Sequence, residues 1–158
     1  MSFGYQVLGF GSGSAAVTPT ENDNGIFGWG VTNRSITNLV SNTGVVATDT
    51  TGVGTARNYL GACGYGDDKG IFGYGYGPVS MTNLVSNAGV VATDVTGVGT
   101  ARKHLAACSY GFDKGIFGYG STGSDVSMTN LVSNAGVVAT DTTGVGTARS
   151  QLTACSYN

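Results

Sequence analysis

The sequence predicts an all-β fold built from repeated four-stranded units, and three observations lead to this prediction. A unit of about 45 residues occurs three times almost verbatim, with its arginine at Arg57, Arg102 and Arg149. Glycine accounts for 28 of the 158 residues, which suits closely spaced strands and tight turns. No segment has the i, i+3, i+4, i+7 apolar spacing of an amphipathic helix. Repeats of this length are typical of propellers and solenoids, whose units bury apolar surface against their neighbours.

The second repeat shows how the unit divides into four strands. The first strand is predicted over residues 70–75, where Phe72 and Tyr74 alternate with Ile71 and glycines. The second follows over residues 79–85, and the third is the β-branched run 89–93, preceded by a turn signal. After the glycine-rich residues 96–100, the fourth strand is predicted over residues 104–110.

Short polar segments rich in Asp, Asn and Gly lead into each repeat. These segments are residues 22–25, 67–70 and 112–115. They predict tight hairpin turns, because Gly and Asn adopt positive φ readily. We therefore divide the chain into an N-terminal strand segment over residues 1–24 and repeats over residues 25–69, 70–114 and 115–158, all within one structural domain.

The order of these strand signals resembles the kelch repeat. Residues 71–75, Ile-Phe-Gly-Tyr-Gly, resemble the kelch strand that ends in a glycine pair, and Arg102 precedes the next Leu-Ala-Ala. The Tyr and Trp of the last two kelch strands are missing, so the chain is kelch-like. The resemblance covers residues 25–158 and implies β-propeller blades. The alternative is a β-trefoil, which also contains three four-stranded repeats.

The number of blades raises a question of closure. Three blades are fewer than the four to eight that propellers typically have. The fourth-strand sequence occurs four times, since residues 14–18 align with residues 59–63, so residues 150–157 have no following strand to pair with. An unpaired edge invites another chain. We expect residues 1–11 or a neighbouring copy to complete this strand, and favour a dimer with six blades.

The charge and hydrophobicity of the chain indicate which kinds of partner and which cellular locations to expect. Charged residues make up only 10% of the chain and the net charge is −2, which offers little resistance to self-association. Seven basic residues form no patch, so nucleic-acid binding is not expected. No apolar run is long enough for a transmembrane helix, and the N-terminus lacks the basic start of a signal peptide. We expect a virion or extracellular location that is reached without a signal peptide.

Aspartate and arginine recur at fixed positions, with the aspartate eight residues before the arginine. Such a carboxylate and guanidinium could form a repeated ligand site or an ion pair between blades. The same pair in every repeat is typical of a structural brace. We therefore predict structural ion pairs among Asp49, Arg57, Asp94, Arg102, Asp141 and Arg149.

The residues that usually perform catalysis are sparse. His104 is the only histidine, and its equivalents in the other repeats are Tyr59 and Gln151, so no triad can be assembled. An odd number of cysteines at wide spacing is not a disulfide framework, and small apolar side chains on an inward strand face explain them better than a thiolate metal site. These cysteines are Cys63, Cys108 and Cys155. The sequence predicts no enzyme, no metal and no cofactor.

The differences between copies point to a recognition surface. Two stretches vary, the loop after the first strand and the pair of residues after each arginine. Loops on a rigid scaffold commonly carry recognition, although drift at unconstrained tips produces the same pattern. The ligand-binding candidates are Arg34, Tyr59, Tyr76, Lys103, His104, Asp125 and Gln151.

The strings Gly-Val-Gly-Thr-Ala-Arg and Lys-Gly-Ile-Phe-Gly-Tyr-Gly also resemble repeat arrays of uncharacterised marine phage proteins. That resemblance implies a component of a phage particle. We predict a non-enzymatic binding and assembly module that presents variable loops to a cell-surface glycan or a virion protein. The alternatives are a purely structural decoration or fibre protein, and a sugar-binding β-trefoil lectin.

Overall fold

The computed structural model describes residues 24–157. All the regular secondary-structure elements found in this range are β-strands, which confirms the all-β prediction. In this part of the chain no helix could cross a membrane. The strands are β1 Gly25–Gly28, β2 Thr37–Val40, β3 Gly61–Tyr65, β4 Lys69–Gly73, β5 Thr82–Val85, β6 Ala106–Tyr110, β7 Lys114–Gly118 and β8 Thr129–Val132.

These strands form three small antiparallel sheets, ordered β1-β2, β3-β4-β5 and β6-β7-β8. The register is the same in each, since Phe27, Phe72 and Phe117 each lie opposite an asparagine. The predicted third strand is reduced to isolated bridges, such as Val91 with Val85. Each sheet is thus a meander with a short outer segment, and none of those described closes on itself.

The sheets are out of phase with the repeats drawn on the sequence. Strand β3 comes from the end of the first repeat, yet it pairs with β4 at the start of the second. The predicted hairpin joins them, with Gly66 at φ 57° and Asp67 at φ 66°. Left-handed φ at both positions matches the twist of the flanking strands. The hydrogen-bonded unit therefore runs from β3 to the bridge at Val95.

The core lies between consecutive sheets rather than within one. Trp29 of the first sheet packs on Phe72 of the second, with ring centroids 4.6 Å apart. Tyr74 of the second packs in the same way on Phe117 of the third, at 5.2 Å. Each buried phenylalanine contributes roughly 1.5–3 kcal/mol by leaving water. Glycine is required beneath the ring, because a Cβ on Gly73 would lie 2.8 Å from Phe117.

The predicted strand over residues 150–157 runs beside β6 without forming a sheet with any described residue. The Gln151 amide donates to the His104 carbonyl at 2.9 Å. Further along, the Ser156 hydroxyl donates to the Ser109 carbonyl at 2.8 Å. The predicted completion of this strand by residues 1–11, like the rest of the N-terminal segment before Asn24, lies outside the described residues.

Candidate functional site

The loops that vary between repeats meet at one end of the sheets. The residues that follow each conserved arginine carry the chain into β3 and β6, and the loops after β4 and β7 end beside them. The Tyr76 amide donates to the Asn58 carbonyl at 2.8 Å, and Lys103 exchanges two backbone hydrogen bonds with Ser121. The two variable stretches of sequence therefore form one surface, on the opposite side of the sheets from the hairpin turns.

Three residues at equivalent positions project from this surface in an unusual backbone conformation. Tyr59, His104 and Gln151 have φ values of 56°, 57° and 57°. Non-glycine residues in the left-handed region are uncommon and cost of order 1 kcal/mol or more. A chain of hydrogen bonds holds them, from the His104 amide to the Tyr59 carbonyl and from the Gln151 amide to the His104 carbonyl. Neighbouring repeats thus hold one another's backbone at these positions.

Four of the seven predicted ligand-binding residues form a single cluster. The rings of Tyr59 and His104 lie 4.1 Å apart, and Tyr76 meets Tyr59 edge-on at 6.2 Å. The Lys103 ammonium lies 4.7 Å from the centroid of the Tyr76 ring. Tyr59 is 42% exposed and Tyr76 is 51% exposed, so both present ring surface to solvent. We refer to these four residues as the aromatic cluster.

The aromatic cluster combines apolar ring faces with a single cation. Partial burial, and secondly the charge of Lys103, lower the pKa of His104 below its ordinary value. The imidazole is therefore neutral at pH 7 and stacks as an aromatic ring. Exposed rings of this kind can pack on the apolar face of a sugar, and an ammonium beside them can bind an acidic or hydroxyl group.

The side chains of the other three predicted ligand-binding residues are not part of the aromatic cluster. Gln151 reaches it only through its backbone. Asp125 bridges Ser121, which in turn bridges Lys103. Arg34 is exposed, and its Nε donates to the Thr32 hydroxyl at 3.3 Å. The role of all seven residues in binding a ligand stays a prediction.

The repeated arginines and aspartates join consecutive sheets. The Arg57 guanidinium is buried and donates to the Tyr74 carbonyl at 2.8 Å and to Asn83 Oδ1 at 2.6 Å. Its Nη1 lies 3.7 Å from the carboxylate of Asp94, and the group sits 5.0 Å from the centroid of the Trp29 ring. The partner is therefore the aspartate of the next repeat and not the one eight residues before it.

The second brace, at Arg102 and Asp141, repeats the first except for one contact: Arg102 Nη2 and Asn130 Oδ1 are buried without a hydrogen-bond partner among the described residues. Arg102 donates to the Tyr119 carbonyl at 2.8 Å, lies 3.9 Å from Asp141 and stacks 4.3 Å from the centre of Tyr74. At the two ends of the described chain the pattern is incomplete. Asp49 accepts a hydrogen bond from Asn38, and Arg149 lies over Tyr119, but neither forms an ion pair with any residue in 24–157.

The electrostatics of the braces favour the charged forms of the aspartates. Burial alone would raise the pKa of Asp94, but hydrogen bonds from Thr55 and Asn83, together with the charge of Arg57, lower it below its ordinary value. Asp141 is affected in the same way through Thr100 and Asn130. Burial lowers the pKa of both arginines, which remain protonated at neutral pH.

Sequence reasoning missed three groups that build the braces. Thr55 donates both its amide and its hydroxyl to Asp94, and Asn83 donates to the same carboxylate at 2.8 Å. Gly54 must be glycine, since its φ is +84° and a Cβ would lie 2.5 Å from Asp94. These residues belong to the repeated Gly-Val-Gly-Thr-Ala-Arg and Thr-Asn-Leu-Val strings, so exact repetition was the signal that marked them.

The cysteines differ in environment although they share a repeat position. Burial raises the pKa of Cys63 to about 12, which makes its thiol unreactive at neutral pH. Cys108 is partly buried and Cys155 is exposed. Across residues 24–157, no three His, Cys, Asp or Glu side chains are grouped so as to hold a metal ion.

No family model and no curated protein match this chain. Solved structures do, among them a fungal alcohol oxidase of the AA5 family in complex with copper. That enzyme is 18% identical, with a TM-score of 0.54, and the match covers 75% of this chain but only 28% of the enzyme. At this identity the likeness concerns the fold and not the chemistry.

Proposed function

We propose that this chain is a segment of a kelch-like β-propeller that serves as a non-enzymatic binding and assembly module. The meander order of each sheet supports blades, since each strand pairs with the next along the chain. The contacts of β3 with β6 and β7 place the first strands of consecutive sheets side by side. The β-trefoil alternative has no comparable support.

The ligand that this proposal favours is a cell-surface glycan, and the aromatic cluster is the observation that carries it. Tyr59 and Tyr76 expose ring surface at fixed angles, and Lys103 adds a cation beside them. Rings that are already ordered before binding lose little conformational entropy when a sugar stacks on them. The resemblance of the repeats to marine phage arrays supports placing this surface on a virion.

A glycan array and a host-cell adhesion assay test the proposal. We expect the protein to bind a defined set of sugars, and Tyr76→Ala to weaken binding at least about tenfold, or ~1.4 kcal/mol. Phe112→Ala is the matched control, because Phe112 is 96% exposed in the hairpin turn at the other end of the sheets.

Absence of binding to every sugar, together with absence of adhesion, would reject the recognition role. A purely structural decoration or fibre protein would then be the better description. In that case substitutions at Arg34, Tyr76 or Asp125 would alter assembly, and the adhesion assay would register no difference.

A further inference from the structure

The two internal junctions between sheets are built from the same set of contacts. In each junction, a phenylalanine of the later sheet packs on an aromatic ring that belongs to the preceding repeat. An arginine of the preceding repeat also pairs with an aspartate of the later repeat. A leucine of the earlier sheet also reaches a glycine in the turn of the later one. These leucine–glycine contacts are Leu39 with Gly89 and Leu84 with Gly136.

The outward side of the first sheet carries the groups that, at an internal junction, are contributed by the later of the two sheets. Phe27 is 63% exposed, whereas the equivalent Phe72 and Phe117 are 6% and 0% exposed. The space around Gly44, the equivalent of Gly89, is open. Asp49 stands where Asp94 and Asp141 bind their arginines. We call the surface formed by Phe27, Gly44 and Asp49 the leading face.

The far end of the third repeat carries the groups that, at an internal junction, are contributed by the earlier of the two repeats. Leu131 is the equivalent of Leu39 and Leu84, and its 41% exposure is close to the 38% of Leu39. Unlike those two leucines, it is not among the nearest neighbours of any described glycine. Arg149 lies 4.1 Å from the centroid of the Tyr119 ring, as Arg102 does over Tyr74, and its Nη1 donates to the Thr147 carbonyl. We call the surface formed by Tyr119, Leu131 and Arg149 the trailing face. Each group on it matches one group on the leading face.

The strand edges at the leading and trailing faces are also complementary. Strand β4 pairs with β3 and strand β7 pairs with β6, but β1 has no such partner among residues 24–157. An open groove of about 860 Å³ lies along β1, lined by Ile26, Cys63 and Gly64 among others. Residues 151–157 run beside β6 and likewise pair with no strand in the described part of the chain. Their sequence, Leu-Thr-Ala-Cys-Ser-Tyr at residues 152–157, matches that of β6 with its preceding leucine at five of six positions.

We propose that a second copy of this chain binds through its leading face to the trailing face of the first, with residues 151–157 pairing along β1 of the second copy. The proposal rests on the propeller fold proposed above and names the partner that completes it. The register follows from Cys63 opposite Ile71 and Cys108 opposite Ile116, and places Cys155 opposite Ile26 of the other copy.

Charge and closure both support a second copy as the partner. The trailing face offers the cation of Arg149 and the leading face offers the anion of Asp49, so unlike faces attract and like faces do not. Such a head-to-tail contact closes into a ring only when the units complete a full turn. Two copies provide six sheets, within the four to eight of known propellers, whereas one copy provides three.

Disulfide trapping in the full-length chain tests the strand register. Directly opposed residues on antiparallel strands have Cα atoms about 4.5–5.5 Å apart, which a disulfide can span. We expect Ile26→Cys, under mild oxidation, to give a covalent dimer at twice the 15.9 kDa chain mass on a non-reducing gel. Adding Cys155→Ser to this variant should remove the covalent dimer, while Cys108→Ser should not.

Light scattering on surface variants tests the head-to-tail geometry without deleting any strand. The wild type should have the mass of a dimer. Phe27→Asp should disable the leading face and Leu131→Asp/Arg149→Glu the trailing face, so that each variant alone is a monomer. An equimolar mixture should regain a dimer through the one intact junction. Phe112→Asp, which also changes an exposed phenylalanine, should stay dimeric.

A wild-type mass of 15.9 kDa, or an Ile26→Cys variant that forms no link to Cys155, would overturn the proposal. Both results are expected if residues 14–18 of the same chain occupy the edge of β1. Dimers from each face variant alone would overturn the head-to-tail arrangement. A monomer that still binds glycan would leave the proposed glycan-binding role in place, and a dimer that binds none would reject that role alone.

Discussion

At the scale of single residues, the most unusual feature is a fully buried cation in a chain with few charges. The Arg102 side chain is 0% exposed, and carbonyl oxygens, the Asp141 carboxylate and the Tyr74 ring offset its burial, although its Nη2 has no hydrogen-bond partner among the described residues. A planar guanidinium meets all three at once, because its donors lie in one plane and its face stacks on the ring. A lysine ammonium has neither property.

Arg102→Lys should therefore destabilise the protein although it preserves the charge. We expect a loss of about 2–4 kcal/mol in the free energy of unfolding, since several hydrogen bonds to a buried charge are lost. Thermal and urea denaturation measure it. Arg34→Lys is the matched control and should change stability by less than about 0.5 kcal/mol, as an exposed substitution does. Equal effects of the two substitutions would contradict a bracing role for Arg102.

The residue types of the braces could be predicted from the sequence, but their partners could not. Spacing along the chain pairs Asp94 with Arg102, whereas the structure pairs Asp94 with Arg57. Both pairings give the same repeated pattern, because a tandem array does not indicate whether a contact lies within a unit or between units. The aromatic cluster shows the same limit. Variation singled out Tyr59 and Tyr76, and only the fold brings them together.

At the scale of elements, the glycine-rich segments are packing devices rather than flexible linkers. A Cβ on Gly97 would overlap the backbone of Ser80, and a Cβ on Gly99 would lie within 2.4 Å of Asp141. Gly99 also has a φ of +77°. The segment therefore fits against both its own sheet and the next one.

Gly99→Ala isolates the packing role when it is compared with Gly77→Ala. Both glycines have positive φ, but only Gly99 has a neighbour within 4 Å of its missing Cβ. Backbone strain of roughly 1 kcal/mol is common to both substitutions. We expect Gly99→Ala to cost about 1–3 kcal/mol more, because it displaces Asp141 from Thr100 and Arg102. Equal melting temperatures of the two variants would show that the contact with Asp141 contributes nothing.

Strand positions could be predicted more reliably than the unit they form. Period-2 patterns located β4 and β5, and the Asp-Asp-Lys-Gly turn located the hairpin between β3 and β4. The starting point of the repeat could not be predicted, since any phase of a tandem array describes the sequence equally well. The run 89–93 has strand composition, yet it forms only the bridge at Val91, because its neighbours turn away after one pair of hydrogen bonds.

At the scale of the whole molecule, exposure differs sharply between repeats of nearly identical sequence. Val46 is 52% exposed, whereas Val91 and Val138 are 9% and 8% exposed. The sequence alone cannot reveal this difference, because burial in a repeat protein depends on having a neighbour and not on the residue itself. Exposed copies of otherwise buried residues mark the surfaces at which a further unit fits.

The reactivity of Cys155 reports whether that further unit is present in solution. In a single chain this thiol is exposed, while burial raises the pKa of Cys63 to about 12 and also raises that of Cys108. Pairing with β1 of a second copy would place Cys155 in the environment that Cys63 already has. We therefore expect the wild-type dimer to protect all three thiols from an aromatic disulfide reagent.

Phe27→Asp should then expose a single thiol per chain, with a labelling rate at least about tenfold higher, because the strand is no longer covered. Mass spectrometry of the labelled peptide identifies it as Cys155. Phe112→Asp should label as slowly as the wild type. Rapid labelling of Cys155 in the wild-type protein would show that residues 151–157 remain uncovered, and that the matching of the leading and trailing faces does not lead to assembly.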